Sequence, residues 1–535
     1  MSVIPSGMAL SIPDVEALNL ADLKKLVLQQ LEEVAALTAE NALLRAEIAR
    51  LKGLKGRPKL RPSGMETASE PAPKGAKTNE RRRGAKRVAV TEERTITVAP
   101  PPGSRFKGYE TTVVHDLVIR PATIRYRRER WRTPAGATIT APLPPGVRGH
   151  VGPGLARYGL ALYHRGRMTV PALLAHLGDL GVDLSKRQLV RLLGNGREAF
   201  LDEARDVLRA GLATAAWISV DDTGARHKGA NGTCTQIGND HFTWFATTAS
   251  KSRLNFLDLL RGGHEDYVVN DAALAYMRTR NLAGPVLARL AAHPGQRFAD
   301  AAAWTAHLRR LGIDALRVNP DPVRVATEGA LWGSVADHGF LDGAVILSDD
   351  AGQFNVGLHA LCWVHGERLI HKLDTFNDPQ RRAVERMRAR VWRLYAGLKA
   401  YRRRPSAQRK AVLQRRFDAI FTTRTGFATL DRLLSRLHAN KSELLAVLDR
   451  PDIPLHTNGS ENDIRCQVMR RKVSAGTRSD AGRACRDAFL GLMKTCQKLG
   501  LSFWIYLGDR LNVPGTPHIP PLPALVRARA RAAPA

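Results

Sequence analysis

This 535-residue sequence has little cysteine, few aromatic residues and no long apolar run. Its five cysteines show no paired spacing, and the odd count argues against a disulfide framework and fits a reducing cytoplasm. Without a run of about 18 apolar residues, no membrane-spanning helix is expected. Asp14 and Glu16 interrupt the N-terminal stretch early, so we expect no signal peptide. The expectation is a cytoplasmic protein.

Acidic residues are also scarce, with 50 Asp and Glu against 82 Lys and Arg and a formal net charge of +32. A hydrophobic content of 44% supports packed cores and excludes a disordered chain. The length allows about three or four domains. The excess of positive charge predicts a polyanionic partner, with nucleic acid foremost, although a charged solvated surface is the alternative.

Three short segments of the chain carry the acids that stand out. Segments 220–223 and 345–350 place Asp directly after apolar runs, a pattern typical of buried strands that end there. Segment 458–461 places Glu461 at the start of a helix. If the fold brings two Asp and a Glu together, they can hold two divalent metal ions for in-line phosphoryl transfer.

Both strand-end segments contain adjacent acids, Asp221 with Asp222 and Asp349 with Asp350. Because side chains alternate along an extended chain, only one acid of each pair can point into a shared site. Asp is common where strands meet loops, and Glu461 completes the pattern of a helix capping box. Structural roles for these acids therefore remain open at the level of residue pattern.

The N-terminal region, 1–55, predicts a leucine-zipper coiled coil. One seam of the predicted helix over 20–52 carries Leu23, Gln30, Leu37, Leu44 and Leu51, and the other carries Val27, Val34, Asn41 and Ile48. This pattern favours a parallel dimer in which the single seam Asn sets the register. An amphipathic helix docked on the rest of the protein is the alternative.

The region between the zipper and the catalytic part divides into three. Residues 56–105 are predicted to form a basic flexible linker, with Arg57 and the 81–87 cluster suited to phosphate contacts or to solvent. Residues 106–150 predict a small β module with strand-like runs at 112–119 and 123–126. Residues 151–210 predict a helical, helix-turn-helix-like DNA-binding region.

The helix-turn-helix pattern rests on two short helices around Gly181. Thr169 caps the first helix, and Ser185 with Gln188 forms a capping box that opens the second. Three apolar residues of the second helix are expected to point inward and four polar ones outward. The inward residues are Leu189, Val190 and Leu193, and the outward, DNA-binding ones are Lys186, Arg187, Gln188 and Arg191.

Residues 211–510 predict an α/β domain. Three strands at 216–220, 233–237 and 242–247 precede a helical stretch, a fourth strand at 344–348 and further helices. This is the layout of a ribonuclease-H-like catalytic core with helical insertions at 262–340 and 376–450. It places the first strand beside the fourth. The tail, 511–535, is rich in Pro and Arg and is expected to be disordered.

At these residues the chain resembles the DDE transposases of the IS66 family. The resemblance covers nearly the whole chain but is weak over 60–150 and 262–340. It is carried, in order, by the zipper, Leu180-Gly181-Val182-Asp183-Leu184-Ser185, Val220-Asp221-Asp222-Thr223, Leu347-Ser348-Asp349, Cys362-Trp363-Val364-His365 with Arg368, Glu461 with Arg465, Arg470-Arg471-Lys472, Thr495-Cys496 and Tyr506-Leu507.

The resemblance implies a catalytic triad of Asp221, Asp349 and Glu461 that holds two Mg²⁺ or Mn²⁺ ions. It implies cleavage at terminal inverted repeats and transfer of the 3′ ends to target DNA, without a covalent protein–DNA intermediate. The expected partners are DNA, a second copy through the zipper, and small accessory proteins of the element, in the nucleoid of a bacterial cytoplasm. Further DNA-binding residues are expected at Arg465, Arg470, Arg471 and Lys472.

Three departures from the family pattern are visible. Residues 53–233 contain no Cys, so the zinc module that relatives often carry there is not expected; Cys362 and His365 are assigned no metal. His456-Thr457-Asn458 replaces the usual Asp-Asn-Asn, and the interval between Asp221 and Asp349 is long. The alternatives are a catalytically inactive, transposase-derived DNA-binding protein and a structure-selective nuclease of the same fold class.

Overall fold

A computed structural model describes residues 20–51 and 90–532. The helices are α1 (Leu20–Leu51), α2 (Pro153–His164), α3 (Val170–Asp179), α4 (Lys186–Gly194), α5 (Glu198–Thr214), α6 (Arg253–Leu260), α7 (Asp271–Thr279), α8 (Gly284–Ala291), α9 (Ala301–Arg310), α10 (Pro322–Asp337), α11 (Trp363–His371), α12 (Asp378–Arg403), α13 (Ala407–Phe421), α14 (Ala428–Ala439), α15 (Lys441–Leu444), α16 (Asn458–Ser474), α17 (Asp480–Lys498), α18 (Phe503–Arg510) and α19 (Leu522–Ala532). The strands are β1 (Arg130–Arg132), β2 (Thr138–Thr140), β3 (Trp217–His227), β4 (Ala230–Gly238), β5 (Thr243–Thr248), β6 (Tyr267–Val268), β7 (Arg297–Phe298), β8 (Val345–Ser348) and β9 (Leu358–Leu361).

The chain divides into two units, one formed by 1–69 and 363–451 and the other by 70–362 and 452–535. The helical insertion predicted at 376–450 thus begins earlier, at Trp363. No helix in the described parts of either unit is long and apolar enough to cross a membrane.

The five-stranded sheet of the second unit is mixed. Its strand order is β5-β4-β3-β8-β9, with β3, β4 and β5 antiparallel and β8 and β9 parallel to β3. The first and fourth strands of the sheet are therefore neighbours at its centre, as the sequence predicts. β3 runs on to His227, well beyond the apolar run that predicts it, because β4 continues to pair with it through Ala230.

Each face of this sheet packs against different elements. Ile218, Val220 and Ile346 belong to a large apolar cluster that includes α2, α5, α6 and α10. On the other face, Ala225 and Cys234 pack against Ile464 of α16. Alternation along the strands explains the division, since neighbouring residues point to opposite faces.

The range 262–340, predicted as a helical insertion, contains helices α7 to α10 and the β6–β7 ribbon. Met277, Trp304 and Ala330 lie at the centre of its own apolar cluster. In the first unit, α11 is held by Trp363, whose indole nitrogen donates to the carbonyl of Leu444 over 2.8 Å. The buried Glu367 of α11 accepts a 2.6 Å hydrogen bond from Arg388 of α12.

Helix α1 spans the zipper segment, and the seam residues whose side chains the structure describes face solvent within the single chain. Val27, Val34, Leu37 and Leu44 are each at least half exposed. A helix of this length with an exposed apolar seam matches the helical part of the prediction, while the dimer stays a prediction. The basic clusters at 57–59 and 81–87 lie outside the described residues.

Two regions differ from expectation. Over 106–150 the described chain contains only the hairpin β1–β2, and 112–119 and 123–126 form no strand. Those runs have no neighbouring strand to receive their backbone hydrogen bonds, and Val114 and Leu117 are exposed. The prediction of a β module is therefore wrong for these two runs.

The predicted disorder of the tail is also wrong, because α19 packs on the second unit. Leu522 and Val526, one turn apart, are fully buried in the large cluster. The backbone nitrogen of Leu522 donates to Glu203, which also binds Arg510 through two hydrogen bonds of 2.8 and 2.9 Å. Burial of two apolar residues one turn apart thus anchors this helix, although the segment is otherwise rich in Pro, Ala and Arg.

Candidate active site

Asp221 lies in β3, and Asp349 directly follows the neighbouring parallel strand β8. The ladder between β3 and β8 pairs Ser219 with Leu347, and each Asp lies two residues further along the chain. Asp221 therefore shares the face of Ser219, and Asp349 follows β8 at the same end of this parallel ladder. Both residues are half-buried. Asp221 lies within β3 rather than at its end, and the parallel pairing with β8 ends two residues before it, at Ser219.

Glu461 lies in the first turn of α16, and the start of that helix is fixed to the same part of the sheet. The hydroxyl of Ser460, the preceding residue, is 2.5 Å from the hydroxyl of Ser219, and both side chains are buried. The backbone nitrogen of Thr457 also donates to the Sγ of Cys362 over 3.3 Å. These contacts bring the Glu461 turn to the Asp221 strand.

The expected capping box at Glu461 does not form. Helix α16 begins at Asn458, its N-cap is Thr457, and no side chain caps it. Asn458 is thus inside the helix and Glu461 is four positions from the cap, one too many for a capping box. The structural alternative for Glu461 loses its main support, although an acid in the first turn still favours the helix dipole.

The second acid of each pair points elsewhere. Asp222 faces the opposite side of β3 and accepts hydrogen bonds from Lys251 over 3.1 Å and Gln353 over 2.7 Å. Asp350 is exposed, while Asp349 accepts a 3.1 Å hydrogen bond from the backbone nitrogen of Ala351. Alternation along β3 thus separates Asp221 from Asp222, while Asp349 and Asp350 differ in their exposure.

Residue patterns missed a buried amide beside Asp221. Gln236 of β4 pairs directly with Asp221 and is fully buried on the same face. Among the described residues, neither atom of its amide has a hydrogen-bond partner. A Gln within the otherwise apolar and β-branched run of β4 was the only signal, and that pattern is too common to single it out. No pattern in the sequence singled out Ser219 or Ser460 either.

The three acids are not yet grouped as ligands of one ion. Across 20–51 and 90–532, no three His, Cys, Asp or Glu side chains are close enough together to hold a metal ion. Nearby thiols are unsuited to the task, since burial raises the pKa of Cys466 to about 12 and that of Cys234 well above its usual range. The candidate ligands are therefore the carboxylates alone.

The predicted DNA-binding residues of α16 separate into two groups. Arg470 is buried, donates to the backbone carbonyls of Tyr163 and Met168, and lies 3.9 Å from the Tyr163 ring centroid. The prediction that Arg470 contacts DNA is therefore wrong, because its guanidinium is used inside the fold. Arg471 is half-buried and donates to the carbonyl of Gly224.

Two cations of α16 face solvent. Lys472 is exposed, and Arg465 is exposed with a 3.0 Å hydrogen bond to the side chain of Asn462. A cation in either position can approach a phosphate without losing a buried contact. These two residues remain candidates for DNA binding.

Helix α4 presents its predicted polar residues to solvent. The residues concerned are Lys186, Arg187, Gln188 and Arg191, all exposed. Ser185 and Gln188 form the reciprocal capping box, with hydrogen bonds of 2.8 and 3.2 Å. Val190, expected inside, is half exposed, and Leu192 is buried instead.

The class of this protein follows from its match to known sequences. The family model described as "Transposase IS66 family" matches residues 148–331 and 340–484, more than half of the chain. The chain belongs to the IS66 family of transposases. It is also similar to "Uncharacterized protein y4jO" of Sinorhizobium fredii (strain NBRC 101917 / NGR234), with 54% identity over 324 residues, which are 61% of this chain and 100% of that relative. The resemblance read from the sequence is thereby confirmed at the level of the family.

Proposed function

We propose that this chain is the DDE transposase of an IS66-like insertion sequence. It binds terminal inverted repeats, cleaves DNA at each end of its element and joins the freed 3′ ends to target DNA. The observation that carries the proposal is the β3–β8 register, whose last pair, Ser219 with Leu347, precedes each Asp by two residues. Ser219 also contacts Ser460, the neighbour of Glu461. The strand order, three antiparallel strands and two parallel ones, supports a ribonuclease-H-like core.

The donor chemistry fits divalent metal ions. Asp221, Asp349 and Glu461 supply hard carboxylate oxygens, the ligands that Mg²⁺ and Mn²⁺ prefer. Ions held by these carboxylates would supply activation of the attacking water or 3′-hydroxyl and charge stabilisation for the leaving 3′ oxygen. Because the three carboxylates are not already grouped, we expect their side chains to rotate toward one another on binding.

Sequence-specific binding is assigned to α4. Lys186, Arg187 and Arg191 are exposed on one short helix, where they can reach base edges and backbone phosphates in a major groove. The oxygen of the Gln188 amide accepts from Ser185, which leaves its NH₂ group to donate to a base. On α16, Arg465 and Lys472 would bind phosphates near the carboxylates.

A second copy of the chain is expected to cover the seam of α1. The exposed apolar residues along this helix would be buried by pairing, which is a favourable change at roughly 25 cal/mol per Å² of apolar surface. Asn41, which is exposed in the single chain, would set the register of the parallel pair. Such a dimer would bring together the two DNA ends that transposition requires.

The test is strand cleavage and joining on a labelled terminal-repeat DNA with Mn²⁺. We compare the parent with Glu461→Ala and with Glu461→Gln, which keeps the size of the side chain but removes its charge. Loss of cleavage in both variants, with repeat binding retained, supports the proposal. Cleavage at the parent rate in both variants would return Glu461 to a structural role.

A non-catalytic DNA-binding protein is the second candidate, favoured by the departure at 456–458 and by the ungrouped carboxylates. It predicts specific binding of repeats without nicking under any metal. Any metal-dependent cleavage by the purified parent excludes it. A structure-selective nuclease would instead cleave without preference for the repeats, so random DNA of equal length belongs in the same assay.

A further inference from the structure

We propose that Asp222 is a positioning residue that ties the loop carrying Asp349 to strand β3. This inference rests on the proposed function, because it concerns how the carboxylate site is held. Asp222 follows Asp221 in the strand, and alternation turns its side chain to the opposite face. Its side chain is only 13% exposed, so its partners are fixed by the surrounding fold rather than by solvent.

Two side chains share the Asp222 carboxylate. The Nε2 atom of Gln353 donates to Oδ2 over 2.7 Å, and the Nζ atom of Lys251 donates to Oδ1 over 3.1 Å. Each oxygen of Asp222 thus has its own donor, and one of the two bonds is charge-assisted on both sides. A carboxylate engaged in this way is suited to holding protein segments together.

The Gln353 end of this contact belongs to the loop between β8 and β9. Gln353 lies four residues after Asp349, and the loop folds back at once through the hydrogen bond from Ala351 to Asp349. The Asp222–Gln353 bond therefore connects the loop directly to the strand that carries Asp221. It controls the spacing between the two proposed metal ligands.

Other contacts hold the remainder of the same loop. Arg253 donates to the carbonyl of Gly352 over 2.6 Å, and the ring of Phe354 packs edge-on against Phe256 at 5.0 Å. These contacts secure the loop to α6 and to the apolar core, on the side of the sheet that Asp222 faces. Loss of the Asp222 contact should therefore loosen the spacing of Asp349 without unfolding the loop.

The expected effect is on catalysis more than on DNA binding. A displacement of about 1 Å in a reacting geometry can lower the rate roughly 100-fold. We expect Asp222→Ala and Gln353→Ala each to lower kcat by about 10- to 100-fold, with KM for DNA near that of the parent and with partial rescue by higher Mn²⁺. The double variant should be no slower than the worse single variant, since both remove the same contact.

Asp337→Ala provides a matched control. It removes a carboxylate that pairs with Arg297 in the same unit, and its contacts do not involve the Asp349 loop. We expect this control to keep the parent kcat. If Asp222→Ala is as inactive as Asp221→Ala at every Mn²⁺ concentration, Asp222 is a ligand and the proposal is wrong. Additive effects in the double variant would also overturn it.

Hydrogen–deuterium exchange separates this proposal from the proposed function. Amides of residues 349–357 should exchange faster in Asp222→Ala and Gln353→Ala than in the parent and in Asp337→Ala. Unchanged exchange in both variants would overturn the tether. Because hydrogen exchange requires no catalysis, it tests whether Asp222 holds the loop even if the parent fails to cleave DNA. Failure of the parent to cleave would count against the proposed function alone.

Discussion

The two faces of the five-stranded sheet are built from the same strands but differ in the side chains they bury. On one face, Ile218, Val220 and Ile346 lie within a large apolar cluster. On the other, the intervening residues Ser219 and Asp221 are polar, and Ser219 contacts Ser460 at the start of α16. Consecutive residues of β3 thus alternate between side chains that stabilise the fold and side chains of the proposed active site.

This difference indicates which substitutions should affect activity and which should affect stability. An apolar side chain of the first face contributes mainly to folding, because its removal leaves a cavity. On the second face, Asp221 is half-buried, and its carboxylate contributes little apolar contact. Variants of the two faces should therefore separate activity from stability, and four predictions test that separation.

The largest effect is expected at Asp349. Asp349→Ala should lower DNA cleavage by about 1000-fold or more, because removal of one member of a concerted catalytic set usually costs that much. Its thermal unfolding midpoint should stay close to that of the parent. Asp350→Ala is the matched neighbour and should keep most activity. The reverse result, with Asp350 essential and Asp349 dispensable, would show that the wrong acid of the pair was chosen.

On the apolar face, Ile218→Ala should lower the free energy of unfolding by about 2–5 kcal/mol, the usual range for a fully buried Ile. Chemical denaturation measures this value, and Ile346→Val should give a smaller loss of about 1 kcal/mol. Cleavage per folded molecule should match the parent in both variants. A large loss of specific activity in Ile218→Ala without loss of stability would break the division between the faces.

A buried acid on the α16 side of the sheet is expected to weaken folding as pH rises. Burial raises the pKa of Asp487 to about 6, despite its hydrogen bonds from Thr247. The unfolded value is about 3.9, so the folded protein holds an extra proton between roughly pH 4 and 6 and loses stability as pH rises through that window.

Asp487→Asn should remove this pH dependence. Its oxygen can still accept from the Thr247 backbone nitrogen, and at pH 7 the gain should be at most about 3 kcal/mol. Thermal unfolding of parent and variant from pH 4 to 7.5 provides the measurement. Parallel stability curves for the two proteins would argue that Asp487 stays ionised in the fold.

The smallest effect separates two neighbouring cations of α16. Lys472→Ala should weaken DNA binding modestly and reduce the slope of log affinity against log salt by about 1, as expected for one lost phosphate contact. Arg470→Ala should instead lower stability and leave that slope unchanged, because its guanidinium is buried. A reduced salt slope in Arg470→Ala would place that residue at the DNA after all.

Much of the fold followed from periodicity. The apolar runs that end at Val220 and Ser348 predicted β3 and β8, and the long heptad predicted α1, because such patterns depend only on neighbours along the chain. The sequence did not predict the ordered tail, because α19 has only two deeply buried aliphatic side chains, those of Leu522 and Val526. Two such residues do not make a recognisable helical pattern. A segment with so few apolar residues forms a helix only when it packs against a surface, and here α5 supplies that surface.

The sequence predicted which residues form the candidate site but not how they are arranged. Acids after apolar runs, and the family resemblance, singled out Asp221, Asp349 and Glu461. Nothing in the sequence distinguished Arg470 from Lys472, since both are cations two residues apart on one helix. Burial against Tyr163 made one of them structural and left the other exposed.

By itself the sequence determined the class of fold, the membership in a transposase family and the set of acids from which a site can be built. These depend on local pattern and on ordered motifs along the chain. Only the tertiary structure decided that Asp221 rather than Asp222 lies on the face of β3 that packs against α16, that Gln236 lies opposite Asp221, and that Asp222 binds the loop of Asp349. Such choices depend on strand register and on contacts between residues more than a hundred positions apart, which local pattern does not encode.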